Sequence, residues 1–232
     1  MIFKTPLIPG VLLKRYKRFF ADVRLDDGRE DVAHVPNTGA MLGCSAPGSR
    51  IWVSETLDPK RKLRFTLEIV DAGPSLVGVH TGRTNELVAE ALEDGIIHEL
   101  RGFEETKREV PFDESRIDFL LEGGGPRPSC FVEVKSVTHV ENRVALFPDA
   151  ITLRGQKHLD TLTRVVASGH RAVMLFVVQR TDGEVFRPAH RIDPEYGRML
   201  RKSNAKGVDI LVYRADVTPQ KIKITEPLSW EL

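Results

Sequence analysis

The stretch "RAVMLFVVQ" at residues 171–179 is apolar at every position between its two ends. A half-exposed strand alternates in polarity, because successive side chains point to opposite faces of the sheet. A run without alternation suits a central strand covered on both faces, and such a strand needs helices on both sides of its sheet. The neighbouring sequence supplies them. "TNELVAEALEDG" (84–95) places Leu87, Val88, Ala91 and Leu92 on one arc, with Thr84 as an N-cap and Gly95 as a stop. "RGQKHLDTLTRVVASG" (154–169) repeats the pattern with Leu159, Leu162, Val165 and Val166 and ends at Gly169. "DPEYGRMLRKSNAKG" (193–207) has Asp193 as a cap and Pro194 at the first helical position. With "VDILVYRADV" (208–217) as a last strand, residues 83–232 are expected to form an α/β domain with a mixed sheet.

Residues 1–82 read differently, as short strands with no helix. The expected strands lie at 11–25, 29–36, 50–57, 62–70 and 75–81, separated by "DDGR", "PNTG" and "APGS". Five strands in about 80 residues suit a small closed barrel of the OB-like, all-β kind, which removes its edges by closing. The expected organisation is therefore two domains, a barrel over 1–82 and an α/β unit over 83–232.

A chain of 232 residues with 41% hydrophobic residues and a net charge of +1 is not a disordered tail protein. Its overall charge says nothing about nucleic acid, but the distribution of charge does. Residues 1–21 hold Lys4, Lys14, Arg15, Lys17 and Arg18 and no acid. If "KRYKR" (14–18) is a strand, Arg15 and Lys17 share one face while Lys14, Tyr16 and Arg18 share the other. "PKRKLR" (59–64) adds Lys60, Arg61, Lys62 and Arg64. A barrel with two basic runs and aromatic residues such as Tyr16 and Trp52 has the makings of a nucleic-acid surface, although a basic run is also an ordinary solvated face. The expected DNA contacts in the barrel are Arg15, Tyr16, Lys17, Arg18, Lys60, Arg61 and Lys62. The two cysteines and seven histidines lack metal-ligand spacing. No signal peptide or membrane span is expected, and the chain is expected to be cytoplasmic.

"DFLLEGGGPRPSCFVEVKS" (118–136) is a hairpin pattern with charges in it. Glu133 and Lys135 fall on one strand face, while Val132 and Val134 point to a core. On the partner strand Asp118 shares its face with Arg116 and Leu120, opposite Ile117, Phe119 and Leu121. Pairing around the loop at 122–129 would bring Asp118 to Glu133 and Lys135. Two carboxylates held together repel unless a cation joins them, and all-oxygen ligation with few protein ligands suits Mg²⁺. A surface face carrying one salt bridge is the plainer alternative.

The arrangement resembles the PD-(D/E)XK nuclease signature, here "RIDFLL" followed by "VEVKS". In order along the chain, "LLKRYKRFFADV", "PNTGAM", "PKRKL", "SRIDFLL", "VEVKSVT", "FPDAITLRGQKHL" and "RAVMLFVVQR" resemble the sugar fermentation stimulation protein A family. That resemblance implies an OB-like barrel followed by a restriction-endonuclease-like (PD-(D/E)XK) domain, DNA binding, and a link to the regulation of sugar (maltose) use. It implies a site in which Asp118, Glu133 and the Val134 carbonyl bind Mg²⁺ or Mn²⁺ while Lys135 positions water. The fold adds an acid from its first helix, and on the helical wheel Glu90 lies nearest the rim of the apolar arc; Glu109 is the reserve. Gln156 matches a helix polar residue near the lysine, and Arg154 and Lys157 at the same helix start suit phosphate. Asp149 follows Pro148 but comes after the E-x-K, so it is not the metal-binding Asp. The expected partner is DNA, bound largely without sequence specificity. A non-cleaving DNA-binding regulator remains the alternative, and a homo-oligomer is compatible with either.

Overall fold

The computed structural model describes residues 1–232. Six strands build the first domain: β1 (Ile8–Tyr16), β2 (Phe20–Leu25), β3 (Glu30–His34), β4 (Arg50–Glu55), β5 (Phe65–Asp71) and β6 (Leu76–Gly78). They run in the order β3-β2-β1-β4-β5-β6, and a parallel contact of Ala33 and His34 with Phe65 and Thr66 joins β3 to β5. That contact closes a five-stranded barrel. Alternation fills it: Ala21, Val23 and Leu25 of β2 and Ile51 and Val53 of β4 are buried in one core. In β5 both faces are covered, with Phe65 and Leu67 in the barrel and Ile69 packed in the core of the second domain.

The expected strand over 11–25 is two strands. Lys17 and Arg18 adopt left-handed φ angles of 48° and 64° in the turn between them. Arg15 and Lys17 therefore do not share a strand face. The strand expected over 62–70 begins at Phe65, so Lys60, Arg61 and Lys62 lie in an exposed loop. That expected over 75–81 ends at Gly78, and a 3-10 turn (Thr81–Arg83) leads into the second domain.

The second domain comprises α1 (Thr84–Glu93), β7 (Glu105–Phe112), β8 (Ser115–Glu122), β9 (Cys130–Val137), β10 (His139–Glu141), β11 (Val144–Phe147), α2 (Leu153–Ala167), β12 (Arg171–Val178), β13 (Val185–Pro188), α3 (Pro194–Ala205), β14 (Asp209–Val217), β15 (Ile222–Pro227) and β16 (Ser229–Trp230). Its main sheet has the order β15-β14-β12-β9-β8-β7. Central β12 runs parallel to β9 and β14, and the outer pairs are antiparallel, so the sheet is mixed as expected. Every residue of β12 from Ala172 to Val178 is buried. Val173, Leu175 and Val177 pack beneath α1, while Met174, Phe176 and Val178 pack beneath α2 and α3. The sequence pattern does not reveal β7, β13, β15 or the small sheet β10-β11-β13-β16.

The helix ends follow local chemistry. The Asp193 carboxylate accepts the Tyr196 N–H at 2.9 Å with Pro194 at the first turn, and the Thr152 hydroxyl accepts the Gly155 N–H at 3.1 Å. Thr84 is inside α1 and not its cap; its hydroxyl accepts from Gln179 Nε2 at 3.1 Å. The first residues leave the barrel altogether: Ile2 bridges to Lys221, and the Met1 amino group donates to the Ile222 carbonyl at 2.8 Å. Cys44 and Cys130 are free and buried, and burial pushes their thiols up to about 11 and about 12. No helix is long and apolar enough to cross a membrane.

Candidate functional site

The β8–β9 ladder ends with Phe119 opposite Val132, and the next rung brings Asp118 beside Glu133. Glu133 and Lys135 point to the α2 side of β9, where their register neighbours Phe131 and Val137 sit in the core. Glu133 is only 2% exposed. Its Oε1 accepts from Lys135 Nζ at 2.5 Å and also bonds His158 Nδ1 of α2. His158 Nδ1 also lies 3.2 Å from Lys135 Nζ, and its Nε2 lies 3.4 Å from Arg154 Nε. Glu133 Oε2 is buried and has no partner. Burial alone would raise the Glu133 carboxyl, but Lys135 and His158 outweigh it and hold the group below its ordinary range.

Asp118 is held from both sides. Its Oδ2 accepts the Val134 N–H at 2.7 Å, and its Oδ1 accepts from Asn85 Nδ2 of α1 at 2.8 Å. Burial, and then the charge of Glu133, push the Asp118 carboxyl above its ordinary range. The alternation expected for β8 fails here. Ile117 packs with Leu120 beneath α2, while Phe119 and Leu121 pack beneath α1. The β7–β8 ladder skips the Glu109–Asp118 pair, and Glu109 takes a φ of 55°. Asp118 thus leaves the strand at a local distortion, with both carboxylate oxygens bonded.

These groups form one wall of a cavity of about 420 Å³ between the domains. The barrel contributes Arg18, Asn37, Thr38 and Gly39; the other walls are Thr84 and Asn85 and the segment from Leu146 to Thr152. The barrel loop is pinned in place. Asn37 accepts the Gly39 N–H at 2.9 Å and donates to the Val79 carbonyl at 3.2 Å. Asp149 accepts the Met41 N–H at 2.8 Å. Gly39 packs so closely on Asp149 that a Cβ there would collide with the carboxylate.

Among the candidate site residues, Asp118, Glu133, Val134, Lys135, Arg18 and Arg154 line this cavity, as does Asp149, which the order of the motif sets aside as a metal ligand. The other candidates lie elsewhere. Glu90 pairs with the Met1 amino group at 2.5 Å, and the α1 residue that reaches Asp118 is Asn85, one turn earlier. Gln156 donates to the Asp193 carboxylate at 3.1 Å; His158, two residues on, meets Lys135. Glu109 is exposed on edge strand β7, and Lys157 turns to the Glu114 carbonyl at 3.2 Å. Arg15 is a loop clamp, donating to the carbonyls of Asn37, Arg18, Gly39 and Ala40, the last two at 2.8 Å. Tyr16 stacks on Phe20 with centroids 5.7 Å apart. Lys17 is exposed in its turn, Lys60 and Lys62 are exposed in their loop, and Arg61 lines a separate cavity with His34 and Glu68.

Comparison with known proteins places the whole chain. Residues 13–79 match the SfsA N-terminal OB domain, and residues 82–221 match the sugar fermentation stimulation protein RE domain. A sugar fermentation stimulation protein homolog of Geobacter metallireducens is 53% identical over 230 residues, covering 98% of each chain. The homolog of Geotalea uraniireducens is 52% identical over 230 residues, covering 99% of each. The solved structure of Pyrococcus furiosus SfsA in complex with Ca²⁺ is 27% identical, with a TM-score of 0.91 over 100% of this chain and 98% of that one. A two-domain match of this extent leaves one conclusion: the chain belongs to the sugar fermentation stimulation protein family.

Proposed function

We propose that the chain binds DNA and hydrolyses its phosphodiester bonds at Asp118, Glu133 and Lys135, with Mg²⁺ or Mn²⁺ held by the two carboxylates and the Val134 carbonyl. The observation that carries this reading is the Glu133 carboxylate. It is buried, one of its oxygens has no partner, and its charge adds to the effect of burial in pushing the neighbouring Asp118 carboxyl up. A shared hard cation would satisfy the free oxygen and remove the repulsion between the acids. Two protein carboxylates with the remaining positions left to water are a donor set that Mg²⁺ accepts readily. The complex of the Pyrococcus furiosus relative with Ca²⁺, another hard cation, is in keeping with it. When bound, the ion would supply Lewis-acid stabilisation and an acidified water.

The side chains of the chain supply the rest. Lys135, 2.5 Å from Glu133, keeps an ammonium beside the reacting position, where it can orient water and offset developing negative charge. His158 fixes the Glu133 rotamer, and Asn85 with the Val134 N–H fixes Asp118. Arg18 and Arg154 have no carboxylate partner and stand at the cavity to receive phosphate oxygens.

Thermal unfolding tests the ion site directly. Mg²⁺ or Mn²⁺ at one hundred times its Kd should stabilise the wild type by about 2.7 kcal/mol, since only the folded site binds it. The double variant Asp118→Asn, Glu133→Gln should lose that response. Equal shifts in both proteins would place the ion elsewhere.

A further inference from the structure

We propose that the substrate is an unpaired strand, running from the cavity of Asp118 and Glu133 over Leu146 into a second cavity lined by Arg187 and Arg191. This deepens the function proposed above and rests on it. A volume of about 420 Å³ is that of a pocket for one small ligand. The barrel loop at Asn37–Gly39 closes one side of it, held by the Asp149 and Arg15 bonds, and the Lys135 and Glu133 side chains are only 14% and 2% exposed, so a phosphate must enter the cavity to reach them. A single nucleotide unit can do so.

A second cavity adjoins the first across Leu146. Leu146 of β11 lines both the first cavity and a second of about 380 Å³, whose walls include His139, Glu141, Arg187, His190 and Arg191. The two mouths are fastened together, because the Thr152 N–H donates to Asp193 at 2.9 Å, directly after the Pro188–Ile192 wall. Arg191 has no carboxylate partner, and Arg201 reaches into the same wall by bonding His190 Nε2 at 2.8 Å. Arg187 is shared with Glu231 at 2.7 Å, and Glu141 is the opposing charge. Cations therefore mark both cavities: Arg18 and Arg154 at the first, Arg191 and Arg201 at the second.

Apolar side chains select the unpaired form. Ile151, 72% exposed, lines the first cavity, and Leu153, 74% exposed, follows it just beyond Thr152. A duplex presents its phosphates there and keeps its base faces stacked inside. An unpaired strand offers apolar base faces to these aliphatic side chains and phosphates to the arginines.

Fluorescence anisotropy of the full chain in EDTA, which prevents cleavage, provides the test. The probes are a labelled twelve-nucleotide single strand, its perfect duplex, and the duplex with a single-stranded tail. The single strand and the tailed duplex should bind at least about tenfold more tightly than the blunt duplex, since the cavity admits one strand only. Arg191→Glu should weaken single-strand binding and flatten its salt dependence by about 0.7 in the log–log slope for each phosphate no longer neutralised. Ile151→Ser with Leu153→Ser should weaken it with the slope unchanged. Lys221→Glu, at the far edge of the sheet, should do neither. Equal or tighter binding of the blunt duplex overturns the inference and leaves DNA binding standing. So does competition by a mononucleotide as effective as the oligonucleotide, which would make the first cavity a small-phosphate site. Absence of binding to every probe overturns both the strand route and the proposed function.

Discussion

Lys135→Ala is expected to lower phosphodiester cleavage by roughly 10²–10⁴-fold, the usual contribution of a positioned acid–base group. DNA affinity should change little, because one lysine is a small share of an electrostatic interface made of many phosphate pairings. The asymmetry follows from where the ammonium sits. It is 2.5 Å from a Glu133 oxygen and its side chain is largely buried in the cavity wall, where few phosphates of a bound strand can reach it. Removing one partner of a buried ion pair can cost about 3–5 kcal/mol. Here His158 still bonds the same Glu133 oxygen, which limits the loss. A melting curve alongside the cleavage assay separates the two effects, and Lys135→Arg, which keeps the charge, should melt close to wild type. Identical trace cleavage by wild type and Lys135→Ala would mark the activity as contamination, and a non-cleaving DNA-binding role would then lead.

The largest effect on stability is expected at Phe176→Ala, about 3–5 kcal/mol from reduced burial and the cavity left behind. For a chain of this size that lowers Tm by about 6–20 °C. Phe176 is fully buried in β12, its ring centroid 4.3 Å from that of Phe186 and 5.5 Å from that of Phe147. Phe147 in turn lines the cavity with Asp118 and Glu133. The variant should therefore weaken strand binding as well as melt early. Chemical denaturation measures the stability change, and a loss under about 1 kcal/mol would mean that the neighbouring rings close over the gap.

Physical signals explain which features could be read from the sequence. The continuous apolar run of β12 marks a doubly covered central strand, and the hairpin pattern marks the charges of Asp118, Glu133 and Lys135 that the fold brings to one cavity wall, because both patterns are local in sequence. The turn at Lys17 and Arg18 carries left-handed backbone on residues that rarely adopt it, with no Gly or Asn to announce it. Strand β7, "ETKREVPF", is almost wholly exposed at a sheet edge and has no apolar alternation to find. The helical wheel favours Glu90 by angle, but reach to Asp118 depends on height along the helix, and Asn85 in the first turn has it. His158 did carry a signal. It precedes Leu162 by four residues and Val165 by seven, so periodicity puts it on the buried face of α2, whereas Gln156 turns toward α3. Asn37 and Thr38 reach the site only through packing of one domain on another, which no local pattern encodes.

The pairing of Ile2 with Lys221 has a mechanical consequence. The chain is anchored to the second domain before it enters the barrel, and again after it leaves, where the Gly78 N–H donates to the Gln179 carbonyl at 3.0 Å. A domain on a single tether swings in any direction; one fastened at both ends, with Ile69 packed in the core of its neighbour, has far less freedom. Any widening of the gap between Thr38 and Asp118 must work against these contacts. Its amplitude is limited by how far the Asp149 bond to Met41 can stretch before it breaks.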